Sequence, residues 1–247
     1  MKILLLDIET SPNIAHVWGL WQQNVGLPQL IQSGEVLCWA AKWVGHPAVY
    51  FNSKFATTPK RMLKQVHSLL DEADAVVTYN GSRFDLPILN GEFAKLGWYP
   101  PAPSKSIDLL SVVKNKFRFP SNKLAYVAPA LGVGAKMGNS GHELWVRCMA
   151  NDPEAWVEME GYNVQDTLLL EGLFTKLRPW IRGITLAGSD DSASCRSCGS
   201  HNLQRRGFSY TSVSKFQRYQ CQACGAWGRS GVNELDTAAR KNILRPL

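Results

Sequence analysis

The chain has 247 residues, enough for one medium catalytic domain and a small appendage, and 45% of them are hydrophobic, as in an ordinary globular protein. No apolar run approaches the roughly 18 residues of a membrane span, and the run after Met1-Lys2 is too short for a signal-peptide core, so the expectation is a soluble, cytoplasmic protein with no membrane partner. The net charge of +7 excludes an acidic solvating protein and is compatible with a polyanionic partner.

Strand-like and helix-like segments alternate along the first three quarters of the chain. Residues 1–9 predict a strand, 11–34 a long excursion carrying Trp18 and Trp21, 35–44 a second strand and 48–51 a third. Residues 58–72 predict a helix with Pro59 in its first turn. A short buried strand over 75–79, a helix over 84–96 ended by Gly97, and a strand end at 106–109 follow, then helical pieces to about 179. This order predicts an α/β fold with a mixed central sheet flanked by helices. The predicted organisation is a domain over 1–186, a Gly/Ser-rich linker over 187–194, a small domain over 195–230 and a tail over 231–247, with one helix at 234–244.

Three acidic motifs stand on this frame. Asp7 and Glu9 end the apolar run 3–6 at i and i+2, so both project from one face of a strand. Paired carboxylates repel unless a cation joins them, although D-x-E also ends ordinary surface strands. Asn80-Gly-Ser-Arg-Phe84-Asp85 follows a buried strand, where α/β sheets place chemistry. Asp85 is equally a first-turn acid favoured by the helix dipole. Tyr162 and Asp166 lie one turn apart on a helix-friendly segment, either as a pair that positions a water or as a surface pair.

Taken in order, D-x-E, N-x3-F-D and Y-x3-D resemble the DEDD superfamily of 3′–5′ exonucleases. The tyrosine resembles its DEDDy branch, and Asn80-x3-Phe84-Asp85 is similar to the proofreading domains of family-B DNA polymerases. The likeness continues through Ile107-Asp108 and Ser121-Asn-Lys-Leu124. It implies a ribonuclease-H-like fold and catalytic residues Asp7, Glu9, Asp85, Tyr162 and Asp166. The four carboxylates would hold two Mg²⁺ or Mn²⁺ roughly 3.5–4 Å apart, with Tyr162 orienting the attacking water. Asp108 is a weaker candidate, with strand-end or helix-cap duty as its other role. The substrate implied is single-stranded DNA or DNA 3′ ends, with RNA as the alternative and replication or repair proteins as possible partners. A third reading is a nucleic-acid-targeting protein whose nuclease fold is vestigial. A compact enzyme of this kind suits a bacterial cell or a phage-infected host.

Substrate contacts are expected at Thr10, Asn80 and Phe84. Residues 109–142 contain no acid, and there Lys114, Lys116, Arg118 and Lys123 interleave with Phe117 and Phe119, a pattern that suits gripping single strands, with core or lid packing as the other role of the aromatics. Lys136 belongs to the same acid-free stretch.

Of six cysteines, Cys38 and Cys148 read as buried thiols. Cys195-x2-Cys198-Gly199 and Cys221-x2-Cys224-Gly225 carry metal-binding spacing, and a glycine after each pair permits a tight turn around the thiolates. Four thiolates predict one structural Zn²⁺, with strands at 203–210 and 213–220, an arrangement that resembles a zinc ribbon. Six basic residues and no acid between 195 and 229 favour nucleic acid over protein as its partner.

Overall fold

The structure, a computed structural model, describes residues 1–183, 185 and 192–244. The chain divides into two compact units, Lys2–Phe174 and Thr175–Leu247.

The first unit is built on a five-stranded sheet. In chain order its elements are β1 (Ile3–Thr10), a short hairpin of β2 (Ile14–Ala15) and β3 (Leu30–Gln32), β4 (Val36–Trp43), β5 (Val49–Ser53), α1 (Pro59–Glu72), β6 (Ala75–Thr78), α2 (Asp85–Lys95), β7 (Lys105–Asp108), α3 (Leu109–Lys116), α4 (Leu124–Ala130), α5 (His142–Met149) and α6 (Pro153–Leu177). The strand order is β5-β4-β1-β6-β7. Strands β5, β4 and β1 are antiparallel neighbours, whereas β1, β6 and β7 run parallel. The sheet is therefore mixed, as the sequence predicts.

Strands covered on both faces show unbroken apolar runs rather than alternation. This explains Ile-Leu-Leu-Leu in β1 and the wholly buried Ala-Val-Val-Thr of β6. Leu4, Leu6 and Ile8 pack with Met62, Val66 and Leu70 of α1 and with Leu89 and Phe93 of α2. Each such side chain contributes about 1.5–3 kcal/mol of transfer free energy. Leu37 and Cys38 of β4 pack with Leu144 and Cys148 of α5 and with Ala155, Trp156, Met159 and Tyr162 of α6. The side chains of Asp7 and Glu9 alternate with Leu6 and Ile8, and are thereby turned away from the α1/α2 core.

Helix α1 begins where the sequence places it. Thr58 Oγ1 accepts the Arg61 N–H, and Pro59 occupies the first turn. The excursion over 11–34 adds the β2–β3 hairpin, and its Trp18 and Trp21 are exposed.

In the second unit, β8 (Leu203–Thr211), β9 (Ser214–Cys221) and β10 (Trp227–Asn233) form an antiparallel sheet in the order β10-β9-β8. The first two are the predicted hairpin; β10 is an addition. Helix α7 (Thr237–Lys241), capped by Asp236, is shorter than the helix expected over 234–244. Most of the expected linker at 187–194 lies outside the described residues.

Candidate active site and cysteine cluster

Strand β1 outruns its parallel neighbour. It pairs with β6 only from Ile3 to Leu5, while its pairing with β4 continues to Thr10. The Ile8 N–H therefore needs another acceptor, and Asp85 Oδ1 takes it at 3.0 Å from the start of α2. The divergence opens the sheet next to Asp7 and Glu9.

Helix α6 closes the opening from the other side. Thr167 Oγ1 donates to the carbonyl of Ala40, Asp7's partner across the strands, at 3.4 Å. Asn163, wholly buried, donates Nδ2–H to Asp7 Oδ2 at 2.6 Å. Its Oδ1 faces the Cys38 thiol at 3.8 Å, which fixes the orientation of the amide. These contacts bring Asp166 to β1: oxygens of Asp7, Glu9 and Asp166 lie within 4.8 Å of one another. Asp85 stands beside this trio, near enough for its charge to raise the Asp7 pKa, with one oxygen committed to Ile8.

Lys136 completes the cluster. Its Nζ lies 2.7 Å from Asp166 Oδ2 and 4.5 Å from the centre of the Tyr162 ring, and it hydrogen-bonds both side chains. Tyr162 is buried, with Trp145 edge-on at 6.0 Å. Asp166 Oδ1 is buried and has no hydrogen-bond partner among the described residues.

The electrostatics follow from this crowding. Burial, then the charges of Asp85, Glu9 and Asp166, pushes the Asp7 carboxyl well above the usual range, and Lys136 opposes the rise. Burial pushes Glu9 up to about 7, opposed by Lys136 and reinforced by Asp166 and Asp85. Burial lifts Asp85 to about 6 against the N–H donors of Ile8 and of its own residue. Asp166 and Tyr162 are raised by burial, each opposed by Lys136. Burial alone would depress Lys136, but its bonds to Asp166 and Tyr162 reverse that and hold it protonated. Three hard oxygen ligands, mutual repulsion and one unpartnered buried oxygen fit a divalent cation such as Mg²⁺ or Mn²⁺.

The loop after β6 is shaped for close approach. A Cβ on Gly81 would lie 2.4 Å from Thr78 Cβ, so no side chain fits there. Asn80 takes a positive φ of 73°. Asp108 organises this loop: its carboxylate accepts from Asn80 N–H at 2.9 Å, from Ser82 Oγ at 2.5 Å and from Leu110 N–H at 3.0 Å, the last capping α3. Asn80, Lys114 and Lys123 share a cavity of about 390 Å³ with Tyr79, Leu110, Asn122 and Leu124. Lys116 and Arg118 are exposed and line no part of it. Phe84 is partly exposed, and Thr10 ends β1 at a register shift opposite Val36. Phe117 and Phe119 stack on each other at 5.4 Å.

A sequence profile of the RNase H superfamily matches residues 41–178, more than half of the chain. The chain belongs to the RNase H superfamily. Among solved structures, the family B DNA polymerase from the hyperthermophilic archaeon Pyrobaculum calidifontis is similar, with a TM-score of 0.56 at 19% identity. The match covers 72% of this chain but only 24% of the polymerase chain, and at that identity it is a likeness of fold. No curated protein matches the sequence. The superfamily profile spans Asp85, Tyr162 and Asp166; Asp7 and Glu9 precede it and reach the site through the pairing of β1 with β4.

In the second unit the four cysteine sulfurs cluster within 4.8 Å. The Cys195–Cys224 and Cys198–Cys221 sulfurs are both 3.7 Å apart. A tetrahedral ion with Zn–S bonds of about 2.3 Å requires sulfurs about 3.8 Å apart, so the cluster fits zinc. Gly199 and Gly225 take φ of 79° and 75°, and their N–H groups donate to the carbonyls of Cys195 and Cys221, folding each pair into the same tight turn. Burial pushes Cys224 up to about 12 and raises Cys198. Burial also works against the Cys221 thiolate, but the N–H groups of Cys224 and Ala223 outweigh it and bring that thiol down to about 7.

The sequence marks neither Lys136 nor Asn163 as a site residue. Lys136 carried one signal, a cation in an acid-free stretch; Asn163 carried only its place beside Tyr162.

Proposed function

We propose that the chain is a metal-dependent 3′–5′ exonuclease of the DEDDy type that removes nucleotides from DNA 3′ ends, with a zinc ribbon over 195–230 that aids nucleic-acid binding. The observation that carries this reading is the meeting of Asp7 and Glu9 on β1 with Tyr162 and Asp166 on α6, around an Asp166 oxygen that is buried without a donor. The resemblance to proofreading domains supports DNA as the substrate.

Asp7, Glu9 and Asp166 would hold the catalytic cations, with Asp85 at the edge of the set. Divalent cations at such a site stabilise charge on the attacked phosphate and on the leaving 3′ oxygen. The remaining work belongs to the chain. Asn163 fixes the rotation of the Asp7 carboxylate. Tyr162 stays a neutral phenol at physiological pH, because burial raises its pKa, so its role is to orient the attacking water rather than to remove a proton. Asn80, Lys114 and Lys123 border a cavity suited to nucleotides near the 3′ end.

The test uses 5′-labelled single-stranded DNA, duplex DNA and RNA with Mg²⁺ or Mn²⁺. A ladder shortening from the 3′ end, abolished by Asp166→Ala, is the expected result. Intact substrates in both metals overturn the reading, and RNA trimmed in preference to DNA replaces the substrate but keeps the chemistry.

Lys136 gives a sharper check. It opposes the pKa rise of Asp7, Glu9 and Asp166, and Lys136→Met removes that opposition. Trimming is expected to fall by about 10–100-fold at neutral pH, with the activity profile displaced to higher pH, because the carboxylates give up their protons later. An unchanged pH profile would mean that Lys136 does not set the charge state of the trio.

A further inference from the structure

On β9, Phe216, Arg218 and Gln220 alternate with Lys215, Gln217 and Tyr219, so the two sets point to opposite faces of the sheet. Register extends the first set onto β10, where Trp227 pairs with Gln220 and Arg229 with Arg218. The face formed by Phe216, Arg218, Trp227 and Arg229 has three properties that belong together.

First, each arginine stacks on an aromatic ring. Arg218 Cζ lies 5.1 Å from the centre of Trp227, and Arg229 Cζ lies 3.7 Å from the centre of Phe216. Second, the two guanidinium groups sit on directly opposed residues, a like-charge pairing that destabilises a sheet. No acid between 195 and 229 is available within the module to relieve it. Third, the groups are accessible and held: Trp227 is 46% exposed, both arginines are exposed, and Arg218 Nε donates to the Arg206 carbonyl at 2.9 Å. A planar cation pinned at one nitrogen, opposite a second planar cation, forms a ready anion site, and the flanking rings and guanidinium planes offer stacking surfaces.

We propose that this β9–β10 face is a binding site for single-stranded nucleic acid, with Arg218 and Arg229 sharing a phosphate and Trp227 stacking on a neighbouring base. The inference rests on the reading of this chain as a nucleic-acid enzyme and assigns the residues that hold the strand away from the carboxylates. A single strand is the occupant because its bases expose their faces to flat rings, which a duplex does not. Lys215 lies 3.9 Å over Phe208 on the opposite face, which provides an internal control of equal charge.

The experiment is fluorescence anisotropy with a labelled thymidine oligonucleotide. The protein is the zinc-loaded full chain carrying Asp7→Asn, so that the strand is not degraded. Arg218→Gln with Arg229→Gln is expected to weaken binding by at least about tenfold at low salt and to flatten the salt dependence by about one released counterion. Trp227→Ala is expected to weaken it about tenfold. Arg205→Gln with Lys215→Gln removes the same charge from the other face and is expected to cost about threefold or less. Equal losses from both double variants would reduce the effect to diffuse charge and overturn the site, as would preference for duplex. No binding of the oligonucleotide by the parent overturns it in favour of protein docking.

Misfolding is separable. Relief of the opposed arginines predicts a glutamine double variant at least as stable as its parent and with full zinc content. Should it lose zinc, Arg218→Lys with Arg229→Lys keeps the charge, loses the planar fork, and is expected to weaken binding by a smaller factor; unchanged binding by that variant overturns the stacking. Trimming of the same oligonucleotide by the unmodified chain is measured in parallel. Binding without trimming sinks the nuclease reading and leaves this site standing.

Discussion

Asp7→Asn is expected to abolish 3′-end trimming and, in the same molecule, to raise thermal stability at neutral pH when no divalent cation is added. The loss of activity, about 10³-fold or more, follows from removing the charge of a residue whose carboxylate lies within 4.8 Å of those of Glu9 and Asp166 and feels the charge of Asp85 as well. The gain in stability follows from the same charge. Asp7 is pressed by burial and by three other carboxylates, and asparagine is nearly isosteric and still accepts the Asn163 N–H.

The sign with pH is determined. Glu9 and Asp85 have folded pKa values of about 7 and about 6, above their ordinary values of 4.5 and 3.8. Groups raised on folding contribute stability that is fully present below the ordinary pKa and is lost as pH rises through the folded one. The cation-free protein should therefore lose stability from about pH 4 to about pH 7, and the advantage of Asp7→Asn should widen over that window. Each kcal/mol of relief corresponds to about 2–4 °C in Tm for a unit of this size. Mn²⁺ should raise the Tm of the parent at pH 7.5 and leave the variant nearly unmoved. A melting series over pH, with and without Mn²⁺, checks both statements. A variant less stable than its parent at every pH would show that the trio is held ionised by something other than an added cation.

Two kinds of information separate the legible parts of this molecule from the rest. Asp7 and Glu9 were visible because a strand has a period of two, and Tyr162 and Asp166 because a helix brings i and i+4 together. The cysteine pairs were visible because Cys-x2-Cys-Gly is itself a local geometry. All these motifs lie within single elements, and the central sheet could be anticipated from the apolar runs that a two-sided burial imposes on β1 and β6.

What was hidden depends on tertiary placement. Lys136 lies 30 residues before Asp166, between Gly132, Gly134 and Gly141, in a stretch with no periodicity to read. In the sequence Asp85 looks like one more ligand, yet one of its oxygens replaces the hydrogen bond that β1 loses where β6 ends, which only the pairing reveals. Asp108 shows the same blindness: its bonds to the Asn80 loop cross 26 to 28 positions. Strand β10 escaped because Gly228, Ser230 and Gly231 break the apolar alternation that marks a strand. The expected helix over 234–244 starts late, because Asp236 accepts the Ala239 N–H and sets the first turn there.

The cysteine cluster carries the second large expectation. Cys198→Ser should unfold β8, β9 and β10 while leaving the first unit folded. Among the described residues, the buried apolar cluster of this module consists of Cys195, Cys221 and Ala226, with Leu203, Cys198 and Cys224 half-covered around them, and the strands are otherwise exposed or half-buried. Such a core cannot offset the conformational entropy of ordering three strands. Zinc bound by four thiolates contributes about 10–16 kcal/mol of apparent free energy, which dominates any packing available here. Serine keeps the shape but supplies no thiolate, and it leaves three sulfurs arranged for a fourth. Metal-free, Cys198 and Cys224 hold their protons, since burial raises both, so zinc uptake must expel them and its affinity should fall as pH drops. Hydrogen exchange distinguishes the outcomes. Amides of β8 and β9 are expected to exchange at unfolded-chain rates in the variant, with zinc content lost, while β1, β4 and β6 retain their protection. Persistent protection in β9 without zinc would mean that the sheet stands on side-chain packing after all, and that the cysteines serve it as small buried hydrophobes rather than as ligands.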